Sequence, residues 1–179
     1  GGLRKWIDLV DYCHYMTPMN ALPPVPAVFG PGWRNEWKSR IDEHEPWLLT
    51  WMRQQRDGAY WRHGSVRPAY DRIEIPTMIV AGWADGYRNN SFRMMAELEK
   101  NAVPRRLLAG PWAHASTSSS LPGPRIDLVP EMVRWWDRWL RGIENGVDAQ
   151  PEAIWYAQTS HRPEPDLDHV PGEWRADSW

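Results

Sequence analysis

The feature that most constrains the fold of this 179-residue chain is a strand, helix, strand pattern in its middle. The run IEIPTMIVAGW at residues 73–83 is β-branched and apolar on both faces of the pleat, which is typical of a strand buried inside a parallel sheet. Asn89, Asn90 and Ser91 offer N-caps for a helix, and a second short strand is predicted at 105–110. The order of these elements predicts a right-handed βαβ unit and an α/β fold.

Helices are predicted on both sides of this unit. Residues 17–32 hold five prolines and two glycines, so we expect a loop there, followed by a helical hairpin over 33–56 with tryptophans at helical spacing. Pro130 begins a further predicted helix that Gly142 ends. Its apolar stripe is expected to lie against the sheet and comprises Met132, Trp135, Trp136, Trp139 and Leu140.

Composition and charge exclude several classes of function. The chain has 21 basic and 23 acidic residues with no basic stripe, so no nucleic-acid partner is expected. Its apolar runs are far shorter than the roughly 20 residues that span a bilayer, and no signal-peptide pattern opens the sequence, so no membrane partner is expected either. The single cysteine, Cys13, cannot form an internal disulfide and is compatible with a reducing compartment, which slightly favours a cytoplasmic location.

Two candidate catalytic residues follow the two central strands. Asp85 comes directly after the first strand, and His114 lies a few residues after the second. Because catalytic side chains of open α/β folds lie at the carboxyl ends of strands, we expect the two side chains to meet. An Asp that precedes a His along the chain matches the acid and base of an α/β-hydrolase triad. Taken singly, each residue also has an ordinary explanation, as a turn residue and as a packed histidine.

Four sequence strings resemble the CocE/NonD hydrolases, a family of α/β-hydrolases that includes X-Pro dipeptidyl-peptidases, cocaine esterase and glutaryl acylases. AGWADGY and AGPWAHAS are similar to the family's acid and base motifs. PEMVRWWDRWLRG resembles its helix after the histidine, and PGEWRADSW resembles the start of its C-terminal jelly roll. The resemblance implies a partial α/β-hydrolase fold with a helical cap at 1–66, the C-terminal half of the core at 67–147, and the start of a jelly-roll domain at 148–179.

The same resemblance implies a serine hydrolase that acts on a small ester or amide substrate without a cofactor or a metal ion. Asp85 would orient the histidine and His114 would be the general base. Tyr87 falls where the family places an aromatic residue in the acyl pocket, and Trp83 is a second candidate for the pocket wall. Ordinary packing explains Tyr87 equally well, and core packing is the better explanation for both Trp83 and Trp112, which could also line the site.

The sequence departs from the family pattern because it contains no G-x-S-x-G elbow. Ser116, Ser118, Ser119 and Ser120 lie in the loop after His114 and do not replace the elbow serine, and Cys13 precedes any predicted strand. We therefore expect this polypeptide to be inactive alone and to need an N-terminal half that carries the nucleophile. The alternative is a catalytically inactive remnant that uses its 14 tryptophans as a binding module. A homo-oligomer is compatible with either hypothesis, and the sequence does not specify the acyl group.

Overall fold

A computed structural model describes residues 6–179 of the chain, and their side chains from residue 11 onward. The first five residues of the predicted cap segment, 1–66, lie outside the described residues. The chain divides into two compact units, residues 1–68 and 69–179. This division does not test the three predicted domains, and their bounds stay predictions.

The described part of the first unit, from residue 6, contains five helices. They are α1 (Trp6–Asn20), α2 (Pro26–Phe29), α3 (Trp33–Glu43), α4 (Trp47–Arg53) and α5 (Ala59–His63). The two helices predicted within 33–56 are found as α3 and α4. Trp33 stacks on Trp37 along α3, and Trp51 lies between Trp47 and Trp61. Contacts between aromatic rings are therefore a main form of packing in this unit.

The predicted loop at 17–32 is partly wrong, because α1 continues to Asn20 and α2 forms one helical turn. Pro18 lies in the last turn of α1, where a missing N–H removes only one intrahelical hydrogen bond. Pro26 is at the first position of α2, where its N–H would have no partner in any helix. Pro26 therefore occupies a position that tolerates proline, whereas Pro18 costs α1 a hydrogen bond near its end.

The second unit is built on one four-stranded sheet. Its strands are β1 (Thr77–Gly82), β2 (Arg105–Gly110), β3 (Ala153–Gln158) and β4 (Gly172–Asp177), in that order across the sheet. β1 and β2 are parallel, β2 and β3 are parallel, and β3 and β4 are antiparallel. The helix α6 (Arg88–Lys100) connects β1 to β2, which confirms the predicted βαβ unit and the α/β class.

The core of this unit lies between α6 and the first two strands. Two side chains of α6, Met95 and Leu98, are completely buried against alternate residues of the strands. A fully buried side chain of this size stabilises the fold by about 1.5–3 kcal/mol. The buried strand residues in this cluster are Ile79, Ala81, Leu107 and Ala109. This core fixes the strand ends from which Asp85 and His114 extend.

The helix α7 (Val129–Arg141) ends at Gly142 as predicted, and the φ of 69° at this residue is the left-handed conformation that favours glycine. The expectation that its whole apolar stripe lies against the sheet is wrong, since Trp135 is buried but Trp136 and Leu140 are exposed. At 100° per residue, Trp135 lies at one edge of the apolar stripe, and Trp136 and Leu140 lie toward the other edge. A single packing surface therefore does not cover the whole stripe.

An ion pair joins α7 to β2. The guanidinium of Arg106 is buried and lies 3.5 Å from the carboxylate of Glu131 in the first turn of α7. Burial lowers the pKa of Arg106, and the negative charge of Glu131 opposes this effect. Glu131 therefore supplies the negative charge that the buried Arg106 guanidinium needs.

Beyond α7 the chain returns to the sheet through β3, which pairs with β2 at Leu107, Leu108 and Ala109. The segment predicted as the start of a separate β domain thus extends the same sheet, although that domain assignment stays a prediction. In the part of the chain that the structure describes, no helix combines the length and apolar character needed to cross a membrane.

Candidate active site

Asp85 lies in a tight turn directly after β1. Its backbone N–H donates to the carbonyl of Gly82 at 3.1 Å, which reverses the chain. Its carboxylate in turn accepts a hydrogen bond at Oδ1 from the backbone N–H of Tyr87 at 2.7 Å. This second bond joins an Asp side chain to the backbone two residues on, a turn geometry that Asp favours. The local sequence therefore fixes one carboxylate oxygen and leaves Oδ2 available.

His114 lies in the equivalent place after β2, and the two loops are joined to each other. The N–H of Ala84 donates to the carbonyl of Trp112 at 3.1 Å. This close approach requires glycine at position 82, because a Cβ there would lie 2.2 Å from the carbonyl oxygen of Trp112. Gly82 thus allows the loop that carries Asp85 and the loop that carries His114 to approach each other.

The two candidate catalytic side chains are in direct contact. His114 Nδ1 lies 2.8 Å from Asp85 Oδ2, which confirms the prediction that the βαβ unit brings them together. An ionised carboxylate can only accept, so Nδ1 is the donor and the lone pair of the neutral imidazole is on Nε2. The carboxylate is 18% exposed and the imidazole 76% exposed, so the Asp85 side chain is sheltered while the His114 ring faces outward.

The electrostatics of Asp85 match this arrangement. Burial raises the pKa of the Asp85 carboxyl, but the Tyr87 backbone N–H and His114 outweigh it and leave the pKa below its ordinary value. The carboxylate is therefore ionised at neutral pH. An ionised acid beside Nδ1 stabilises the imidazolium that forms when Nε2 takes a proton.

Tyr87 and Trp83 differ in their surroundings. The ring of Tyr87 is exposed and meets the His114 ring edge-on at 5.2 Å between centroids. Trp83 stacks on Phe92 at 5.0 Å, and its Nε1 donates to the carbonyl of Tyr156 at 2.9 Å. Tyr87 is thus placed beside the base, whereas the Trp83 ring packs beside the core. Trp112 is buried, as the packing explanation predicts.

In the described residues, no hydroxyl or thiol is hydrogen-bonded to Nε2 of His114. The hydroxyls of Ser116 and Ser118 bond to each other at 2.9 Å. Cys13, in α1, is buried, which raises the pKa of its thiol. The described part of the chain also has no group of three or more His, Cys, Asp or Glu side chains that could hold a metal ion.

Two residues that shape the site were missed by sequence reasoning. Gly82 belongs to the motif AGWADGY, but the motif does not indicate that this glycine permits the approach of the two loops. Ser120 was considered only as a nucleophile, yet its hydroxyl accepts from the backbone N–H of Ala113 at 3.0 Å. The signal for Ser120 was the run of serines after a strand, since serine often bonds nearby backbone groups in such loops.

Comparisons with known proteins support the motif resemblance. Residues 30–116 match the family described as X-Pro dipeptidyl-peptidase (S15 family). Cocaine esterase from Rhodococcus sp. (strain MB1 Bresler) is 31% identical over 117 residues, which cover 60% of this chain and 20% of that protein. This chain therefore spans about a fifth of the length of that relative.

A solved structure supports the fold. The crystal structure of a CocE/NonD family hydrolase from Staphylococcus aureus superposes with a TM-score of 0.52 at 14% identity, covering 82% of this chain and 24% of the other. At this identity the likeness concerns the fold alone, which is a partial α/β-hydrolase fold. The resemblance predicted from the motifs is therefore confirmed as a similarity: over residues 30–116, which carry Asp85 and His114, the chain is similar to the X-Pro dipeptidyl-peptidase (S15) family.

Proposed function

We propose that this chain provides the acid and the base of a serine-hydrolase triad that cleaves an ester or an amide. The observation that carries the proposal is the 2.8 Å contact between Asp85 Oδ2 and His114 Nδ1 at the carboxyl ends of neighbouring parallel strands. The order of the two residues and the names of the relatives, a cocaine esterase and an X-Pro dipeptidyl-peptidase family, support the same chemistry.

In the proposed mechanism, Asp85 holds the proton of the imidazole on Nδ1 throughout. His114 Nε2 takes the proton of a serine hydroxyl as the serine oxygen attacks the substrate carbonyl. The imidazolium then gives that proton to the leaving alcohol or amine, and an acyl-serine remains. His114 next takes a proton from water, which attacks the acyl group, and the acid is released as the serine regains its proton.

The nucleophilic serine and the oxyanion donors are proposed to come from polypeptide outside these 179 residues. The sequence has no G-x-S-x-G string, and the exposed face of His114 is open to a partner group. Removing one oxyanion donor costs about 2.7–4 kcal/mol of transition-state stabilisation, and removing the nucleophile ends the covalent route. The chain alone should therefore not hydrolyse esters.

Tyr87 is proposed to contact the substrate, because its exposed ring adjoins the base. Trp83 remains a candidate for the pocket wall through the part of its ring that is not buried. Its indole N–H is already bonded to the backbone, so any contact with substrate would be apolar.

Complementation tests the proposal. The chain is mixed with a polypeptide that carries the G-x-S-x-G half of a related hydrolase, and hydrolysis of p-nitrophenyl acetate is followed. The wild-type chain should restore activity, and His114→Ala should abolish it. The control is His161→Ala, which changes an exposed histidine in the tail. Equal activity of the wild-type and His114→Ala mixtures would refute the site assignment.

The same mixture separates the alternative of an inactive binding module. A complex that forms, shown by a shift in melting temperature, but hydrolyses no activated ester with any serine-bearing half would favour that alternative. The pair formed by an ionised Asp85 and an exposed His114 favours the hydrolase, because a binding module does not need such a pair.

A further inference from the structure

The loop that carries His114 is tied back on itself by a buried serine hydroxyl. Ser120 Oγ accepts a hydrogen bond at 3.0 Å from the backbone N–H of Ala113, the residue just before His114. The Ser120 side chain is only 1% exposed, whereas the neighbouring serines at 116, 118 and 119 are exposed. One serine of this run therefore differs from the others in burial and in its partner.

His114 depends on its backbone for its direction. Its imidazole is 76% exposed, is hydrogen-bonded to Asp85 and meets the ring of Tyr87. An exposed side chain with few packing neighbours can change rotamer readily unless its Cα–Cβ bond is held. That bond direction is set by the backbone at Ala113 and His114, and the N–H of Ala113, in the peptide from Trp112 to Ala113, is the group that Ser120 holds.

Backbone hydrogen bonds hold Ser120 itself in place. Its N–H donates to the carbonyl of Ser116 at 2.8 Å, which closes a turn. Thr117 anchors the same turn from outside, since its Oγ1 donates to the carbonyl of Ile126 at 3.1 Å and the N–H of Ile126 donates back to Thr117 at 3.0 Å. The hydroxyl of Ser120 thus reaches Ala113 from a fixed position.

We propose that Ser120 is a positioning residue for His114, and that its hydroxyl fixes the Ala113 backbone so that the imidazole stays on Asp85. This inference rests on the proposed function, because a catalytic imidazole is the kind that needs a fixed direction. Ser120 touches no reacting atom and acts through Ala113 alone. Its loss should loosen the pair without removing either member.

The test uses nuclear magnetic resonance of the chain with ¹⁵N-labelled histidine. The exchange rate of the His114 Nδ1 proton with solvent reports how firmly that proton is held by Asp85. Ser120→Ala should accelerate this exchange about tenfold, the factor that matches the loss of roughly one hydrogen bond. Ser118→Ala is the matched control, since Ser118 is exposed and its hydroxyl bonds only to Ser116.

Ser120→Cys provides a second variant of similar size that keeps a weak acceptor, and it should give an intermediate exchange rate. If Ser120→Ala does not fold, judged by its amide spectrum, Ser120→Cys carries the test. Unchanged exchange in the folded Ser120 variants, or equal acceleration in Ser118→Ala, would overturn the proposal. The readout needs no catalysis, so a failed complementation leaves this result independent.

Discussion

The two units of the chain use their apolar residues differently. In the sheet unit, Met95, Leu98 and Leu107 are almost completely buried in one core. In the helical unit, no residue of α2 to α5, all of which the structure describes, is buried. Exposed residues of those helices include Ile41, Trp47, Leu49 and Met52. An amphipathic pattern therefore correctly indicates a helix in both units. It accompanies a closed core only in the sheet unit.

This difference explains where the candidate site lies. Asp85 and His114 extend from strand ends that a buried core and a parallel hydrogen-bond ladder hold in register. The helices of the other unit rely more on ring contacts and on pairs such as Arg40 with Glu36, which are worth a few tenths of a kcal/mol each. Catalytic residues need the support of a buried core and of strand hydrogen bonds, because small displacements of these residues strongly lower the reaction rate.

The largest expected effect compares one leucine from each unit. Leu98→Ala should lower the free energy of unfolding of the sheet unit by about 2–5 kcal/mol, because it leaves a cavity in a filled core. Leu49→Ala, at an exposed position of α4, should change the free energy of unfolding of the helical unit by less than about 1 kcal/mol. Urea denaturation followed by near-ultraviolet circular dichroism measures both. Similar losses in the two variants would show that the burial contrast is wrong.

The next effect concerns the two glycines that flank the acid. Gly82→Ala should cost about 1–3 kcal/mol and separate Asp85 from His114, since its Cβ would overlap the backbone of Trp112. Gly86→Ala is the matched control, because no atom lies within 4 Å of a Cβ at that position. The same denaturation series, with the His114 proton signal as a second readout, measures them. A tolerated Gly82→Ala would contradict the close approach of the loops.

A smaller effect compares an ion pair from each unit. Glu152→Ala should destabilise by about 1–2 kcal/mol, because its partner, the largely buried Arg105, loses a carboxylate 3.0 Å away. Glu36→Ala removes a pair of similar length, 2.9 Å, between more exposed side chains on α3, and should cost no more than about 0.5 kcal/mol. Thermal unfolding of both variants in low and high salt checks this difference. Equal costs would mean that burial does not distinguish the pairs.

The smallest effect is a dependence on acid pH. The pKa of Asp85 is lower in the folded chain than its ordinary value, so folding is favoured above that ordinary value, about pH 4, and this contribution is lost as the pH falls through the folded pKa. Asp85→Asn should therefore flatten the fall in stability below about pH 4. Unfolding free energies of both proteins between neutral and acid pH test the sign. A steeper fall in the variant would contradict it.

Much of the fold and the pair at its centre could be predicted because their signals are local. The apolar run before Asp85 and the short strand before His114 predict parallel neighbours, and strand ends of such a unit must meet. Gly142 predicts the end of a helix, and α7 ends there. Periodicity and turn chemistry carry this information within a few residues.

The rest depends on contacts between distant parts of the chain. The pairing of β3 with β2 and the exposure of Trp136 and Leu140 are decided by what each surface meets, which periodicity does not encode. The hydrogen bond from Ala113 to Ser120 likewise depends on how one loop folds back. The role of Tyr87 in substrate contact is still a prediction.

A double-mutant cycle in the complemented hydrolase tests the central claim most directly. Hydrolysis of p-nitrophenyl acetate is measured for the wild type, Asp85→Asn, His114→Ala and the double variant. If the two residues act as one unit, His114→Ala alone should lose on the order of 10⁴-fold or more in kcat, and adding Asp85→Asn should reduce kcat little further. Fully additive losses, or full activity in either single variant, would contradict the account.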